Sequence, residues 1–178
     1  MKPLIPLIPI SSRHIMVADK IALAMNRLVR TVTDYIEDMD TKDDDELREI
    51  ELEFLCSIIN DNALHIEEVL TLIESFENDN IRDKINDNYD SVTEQLVKCG
   101  QACLNRLVKN ILDDVIDQYD EIYSEENWLN ADGTPQVTSI IATCTDYMQD
   151  FEEFLMPFWY SKFSSMVLEE VILKYIFS

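Results

Sequence analysis

Residues 81–123 read IRDKINDNYDSVTEQLVKCGQACLNRLVKNILDDVIDQYDEIY, and they decide the fold. The stretch has no proline and one glycine, Gly100, while apolar side chains recur at Ile85, Tyr89, Val92, Leu96, Cys99 and Cys103. Steps of four and three are the repeat of an α-helix. The pattern continues through Leu107, Ile111, Val115, Tyr119 and Ile122 after a change of phase, which predicts a stutter within one helix instead of a break. At about 1.5 Å per residue that helix spans roughly 60 Å, a length suited to an elongated antiparallel helical bundle. The remaining chain is then expected to lie along it as further helices, about five in all.

Composition supports the same class. Two glycines and five prolines in 178 residues are too few to punctuate a many-stranded sheet. Fourteen basic against thirty-six acidic side chains give a formal charge of -22, spread along the chain. Nucleic acid needs cations to replace the counterions of its phosphates, so it is not an expected partner. An anionic lipid surface is disfavoured on the same ground. Such a charge suits solubility and steering toward a basic protein surface. Cys56, Cys99, Cys103 and Cys144 all sit in apolar helical patterns, as reduced cysteines do, and not in a disulfide framework. No apolar run is long enough to cross a bilayer.

Residues 1–12 begin Met-Lys-Pro-Leu-Ile-Pro, and prolines at 3, 6 and 9 interrupt what would otherwise resemble a signal peptide. They read as a leader, an extended arm or an appended segment, with Ser11-Ser12 suited to capping the helix that follows. Residues 13–178 read as a single helical-bundle segment of a longer rod. Its first helix has a seam at Ala18, Ile21, Met25, Leu28, Val32, Tyr35 and Met39, and Lys20, Arg27 and Arg30 make it locally basic. Those cations are expected to pair with acidic neighbouring helices. Asp40 to Asp45 forms the next connection, after which Leu52, Ile59, Ile66 and Ile73 repeat every seven, with Leu55, Ile58, Val69, Leu72 and Phe76 beside them. Asn62 and His65 fall on that seam, where polar residues commonly fix register. Phe76 to Asn80 is a turn short enough to make the second and third helices antiparallel neighbours.

Beyond the long helix, Trp128-Leu129 and Gly133 mark a loop, and Thr134-Pro135 read as the cap and first position of a fourth helix. That helix is expected to bury Val137, Ile141, Cys144, Met148, Phe151 and Leu155, with Pro157 ending it or opening the fifth. Phe158 to Phe177 is apolar on several sides, which a terminal helix of a small bundle cannot bury. More polypeptide, or a partner, is expected against it. Trp159, Phe163, Val171 and Tyr175 are the candidate interaction surface.

No catalytic, cofactor or metal site emerges. Two glycines exclude both common phosphate-binding loops. His65 and Glu68 reverse the order used by di-iron bundles, and Cys99 with Cys103 lacks a partner pair at zinc spacing. The run from Asp79 to Asp90 lacks the alternating oxygen ligands and central glycine of a calcium loop. Carboxylate pairs are abundant because Asp and Glu are abundant, and they do not mark a general acid and base. The chain is not expected to be an enzyme.

Asp113-Asp114-Val115-Ile116-Asp117-Gln118-Tyr119, Tyr123, Trp128-Leu129 and Thr143-Cys144-Thr145-Asp146-Tyr147-Met148-Gln149-Asp150-Phe151 are more specific. Together with Ile140, Val171, Tyr175 and Ile176 they resemble the C-terminal half of the sec-six family of exocyst subunits, exocyst complex component three. The resemblance is clear over about residues 90–177, rests on pattern alone over residues 13–80, and does not reach residues 1–12. It implies a non-enzymatic, cytoplasmic module of stacked helical bundles, peripheral at sites of secretion on the plasma membrane, in the complex that tethers secretory vesicles there. Other exocyst subunits and a plasma-membrane SNARE protein are the implied partners, and a homodimer is left open. Trp128, Leu129, Thr143, Asp146, Tyr147, Asp150 and Phe151 are then the structural motif, holding the junction of the third and fourth helices. The competing reading is a stand-alone acidic adaptor that holds a basic or amphipathic peptide in a groove between helices. A cofactor-binding bundle is a third, which bound metal or chromophore would reveal.

Overall fold

The structure is a computed structural model, and it describes residues 10–39, 48–124 and 134–177. Among the described residues the elements are five α-helices, with no strand: α1 (Ile10–Met39), α2 (Arg48–Glu74), α3 (Asp79–Ile122), α4 (Thr134–Phe154) and α5 (Pro157–Phe177). The chain is therefore an all-α helical bundle. It divides into two compact units, Met1–Asp43 with Asp61–Gly100, and Asp44–Asn60 with Gln101–Ser178.

The 44-residue α3 contributes to both units without interruption. Every apolar position expected on its seam is buried, from Ile85 through Cys103 to Ile122. Four successive steps of four from Cys103 to Tyr119 each turn the stripe by about 40°. Over that part Leu104, Val108 and Asn110 are buried too, so the change of phase widens the covered surface.

In the first unit, α1 meets α3 through the Asn88 amide, which donates to the Asp19 carboxylate. The Asn62 amide donates to the Leu96 carbonyl at 3.4 Å, tying α2 to α3 in antiparallel order. The turn between them is closed by Arg82, whose guanidinium donates twice to the Phe76 carbonyl and pairs with Asp79 at 2.9 Å. Asn78 accepts the Ile81 N–H at 3.3 Å, as an N-cap does. His65, half-buried, lies 3.5 Å from Glu68 one turn along α2.

The buried stripe of α1 departs from the expected seam. Ala18, Ala22, Val29 and Ile36 are buried, while Ile21, Leu28 and Tyr35 are 43%, 58% and 46% exposed. Both columns share Ala18, Met25 and Val32 and both are apolar, so helical periodicity alone does not choose between them. Ser11 and Ser12 lie inside the first turn of α1 instead of ahead of it. Lys20, Arg27 and Arg30 form no ion pair among the described residues, contrary to the expected pairing with acidic helices. The Asp40 to Asp45 connection and residues 1–9 lie outside the described residues.

In the second unit, Leu55, Cys56, Ile58 and Ile59 of α2, the later part of α3, and Ile140, Phe151, Leu155, Trp159, Phe163 and Val167 of α4 and α5 are buried. Here Ile140 takes the place expected for Ile141, which is exposed. Val137, Thr143, Cys144, Tyr147 and Met148 are half-buried, and Ile140 lies closer than Ile141 to the centre of the face they define. Pro157 opens α5, where a missing N–H costs nothing. Cys56, Cys99, Cys103 and Cys144 form no disulfide among the described residues.

Candidate functional site

The residues singled out by the sequence converge on α4, α5 and the end of α3, all within the second unit. Tyr147 is half-buried on α4, and its hydroxyl donates to the Asp114 carboxylate of α3. Its ring stacks on Phe151 with centroids 6.0 Å apart, and Phe151 meets Phe163 of α5 edge-on at 4.8 Å. Thr143 is half-buried, whereas Asp146 and Asp150 are exposed. Trp128 and Leu129 lie outside the described residues. Tyr147→Ala is expected to lower the melting temperature by several degrees, since about 1 kcal/mol or more of packing and hydrogen bonding is lost. Unchanged thermal unfolding would contradict that role.

The proposed surface of Trp159, Phe163, Val171 and Tyr175 is divided by the fold. Trp159 and Phe163 are buried, so they belong to the core and present no surface. Val171 is half-buried and Tyr175 is half exposed. The outward apolar residues of α5 are instead Phe158, Leu168, Ile172, Ile176 and Phe177. Steps of four from Trp159 through Phe163 and Val167 to Val171 explain the division, because they place one column inward.

Two ties went unseen in the sequence. The Tyr119 hydroxyl donates to the Val171 carbonyl at 2.9 Å, and the Tyr123 hydroxyl donates to the Tyr175 carbonyl. One turn on α3 thus matches one turn on α5, and Tyr175 contributes one of the last carbonyls of that helix, which have no partner within it. The repeat Tyr119-x-x-x-Tyr123 opposite Val171-x-x-x-Tyr175 was visible, but which helix faced which was not.

Asn60 is the second tie. Its amide nitrogen donates to the Phe154 carbonyl at 2.7 Å, and its oxygen accepts the Met156 N–H at 3.0 Å. One side chain of α2 therefore satisfies both backbone groups opened by the α4–α5 turn. Asn60→Ala is expected to destabilise the protein by about 1–3 kcal/mol, measured by urea unfolding. Asn60→Asp, which keeps the acceptor and loses the donor, is expected to fall between alanine and wild type. An alanine variant as stable as wild type would remove this role.

Burial pushes the Tyr119 hydroxyl up to about 12, with Cys144 and Tyr123 adding to it. Burial likewise pushes the Cys56 thiol up to about 12, helped by Glu53. Both groups keep their protons in the folded state after the unfolded chain has lost them. Their contribution is full below about pH 9 and is lost as pH rises toward about 12. Urea unfolding under reducing conditions is expected to show lower stability at pH 11 than at pH 8, with the slope reduced in Tyr119→Phe. A flat or rising profile would contradict the assignment.

Among the described residues, no group of three or more His, Cys, Asp or Glu is placed to hold a metal ion. No helix there is long and apolar enough to cross a membrane. Asn60, Asn62 and Tyr119 tie helix to helix through polar contacts, and large apolar side chains on α1 and α5 are exposed. Such an arrangement defines an all-α helical-bundle protein. The sequence profile described as exocyst complex component Sec6 matches residues 11–178, and the chain belongs to that family. The match includes α2 and nearly all of α1, where the sequence resemblance rested on pattern alone. Neither the comparison with curated proteins nor that with solved structures gave a match. The family places the chain among exocyst tethering subunits, a structural family and not one of enzymes.

Proposed function

We propose that this chain serves the exocyst as a packing and docking module, joining sibling subunits and a plasma-membrane SNARE protein while secretory vesicles are held for fusion. The family match over residues 11–178 carries this reading. The outward apolar residues of α1 and α5 support it, because large side chains such as Leu28 and Phe177 are 58% and 79% exposed. Thr143, Asp146, Tyr147, Asp150 and Phe151 serve the fold of the module in this reading, not the partner. The protein acts from the cytoplasmic side at sites of secretion.

Affinity purification of the tagged protein from cytosol tests the proposal. Recovery of other exocyst subunits in stable proportion is the expected result, and recovery of none would refute it. A SNARE added to the purified assembly is expected to bind with an affinity that falls when the protein is omitted. Equal affinity with and without it would remove the SNARE part of the proposal alone.

A further inference from the structure

α1 carries a second apolar column that is exposed. Val17, Ile21, Ala24, Leu28, Thr31 and Tyr35 follow one another in steps of four and three, and all six are exposed. They occupy an arc of about 80° beside the buried column of Ala18, Ala22, Val29 and Ile36. The Thr31 hydroxyl donates to the Arg27 carbonyl at 3.0 Å, so its polar end is satisfied on its own helix. Alternating steps over this length form the seam of a coiled-coil pair.

Charge identifies what fits that seam. Arg13, Lys20 and Arg27, spaced by seven, border the column on the side away from the core. From Arg13 to Arg30 there are four basic side chains and one acidic, Asp19, which already accepts from Asn88. Lys20, Arg27 and Arg30 have no carboxylate partner among the described residues, in a chain of net charge -22. Unneutralised cations beside an exposed seam select a partner with acidic residues beside its own seam.

We infer that the outward face of α1 docks an acidic amphipathic helix of another exocyst subunit, with the apolar seams interlocked and Arg13, Lys20 and Arg27 along the edge. This inference rests on the proposed function and adds the surface and the partner's chemistry. A bilayer is the poorer fit. The apolar arc is narrow for interfacial insertion, and a strongly acidic protein is repelled by anionic lipid. A second copy is also the poorer fit, since antiparallel pairing through this column brings Arg27 against Arg27.

Photocrosslinking from Leu28→p-benzoylphenylalanine, in the full-length protein within the purified exocyst complex, tests the inference. The expected product joins residue 28 to another subunit at a segment with apolar residues in steps of three and four and flanking Asp or Glu. Adding Lys20→Glu with Arg27→Glu is expected to reduce that product roughly tenfold. The same probe at Asp90, exposed on α3 of the same unit, sets the background. A product with phospholipid, with a second copy or with a basic segment, or yield at background, would overturn the inference. Persistence after the double charge reversal would also overturn it. If the protein is absent from the complex altogether, the proposed function falls as well. If it is present but gives no acidic-helix product, the docking inference falls alone.

Discussion

Phe163→Ala is expected to lower unfolding free energy by roughly 3–5 kcal/mol, among the largest effects of any single substitution in the chain. Phe163 is wholly buried and meets Phe151 edge-on at 4.8 Å, and Phe151 in turn stacks on Tyr147. Removing the ring takes away the transfer energy of the side chain and one partner of an aromatic pair, and leaves a cavity on the inner face of α5. Phe163→Leu, which fills most of that volume, is expected to cost less than half as much. The measurement is urea unfolding followed by circular dichroism. A loss below about 1 kcal/mol for the alanine variant would show that α5 does not depend on this contact.

The second large effect is expected at the end of α3. Tyr119→Ala removes a fully buried ring and the 2.9 Å hydrogen bond to the Val171 carbonyl, at a cost of roughly 3–5 kcal/mol. Tyr119→Phe keeps the ring and loses only the hydrogen bond, so about 1 kcal/mol is expected. The two variants separate packing from hydrogen bonding at one position. Near-equal losses would mean that the hydroxyl, not the ring, holds α3 to α5. Native-state hydrogen exchange is expected to show the last turns of α5 opening more readily in either variant.

How much of this was legible in the sequence depends on what each residue had to know about its surroundings. The seam of α3 was readable position by position, because residues at helical spacing share a face whatever lies opposite. Every expected side chain from Ile85 to Ile122 is buried. α1 was readable as a helix but not in its rotation. Its apolar residues form two adjacent columns, and only the neighbouring helices decide that Ala22, Val29 and Ile36 turn inward while Ile21, Leu28 and Tyr35 do not. The same ambiguity exchanged Ile140 for Ile141.

The ties between helices were the least legible. Asn60 reaches Phe154 and Met156, more than ninety residues away, and no local pattern encodes that distance. Trp159 and Phe163 were expected at a surface because α5 is apolar on several sides, yet both are buried, Phe163 edge-on against Phe151 of α4. The expectation that α5 could not be covered all round held at Leu168, Ile172 and Ile176, which are exposed. The Asp113 to Phe151 motif carried the family, and within it Tyr147 also carries a structural contact to Asp114.

We propose that this protein works through exposed helix faces held in place by a buried frame. Hydrogen exchange on the protein alone and within the purified exocyst complex tests that claim most directly. Equal protection in both states is expected for α3 between Cys103 and Tyr119, where the core is already covered, with added protection in the complex along the outward faces of α1 and α5. Protection unchanged on both of those helices, or added only in the buried frame, would contradict it.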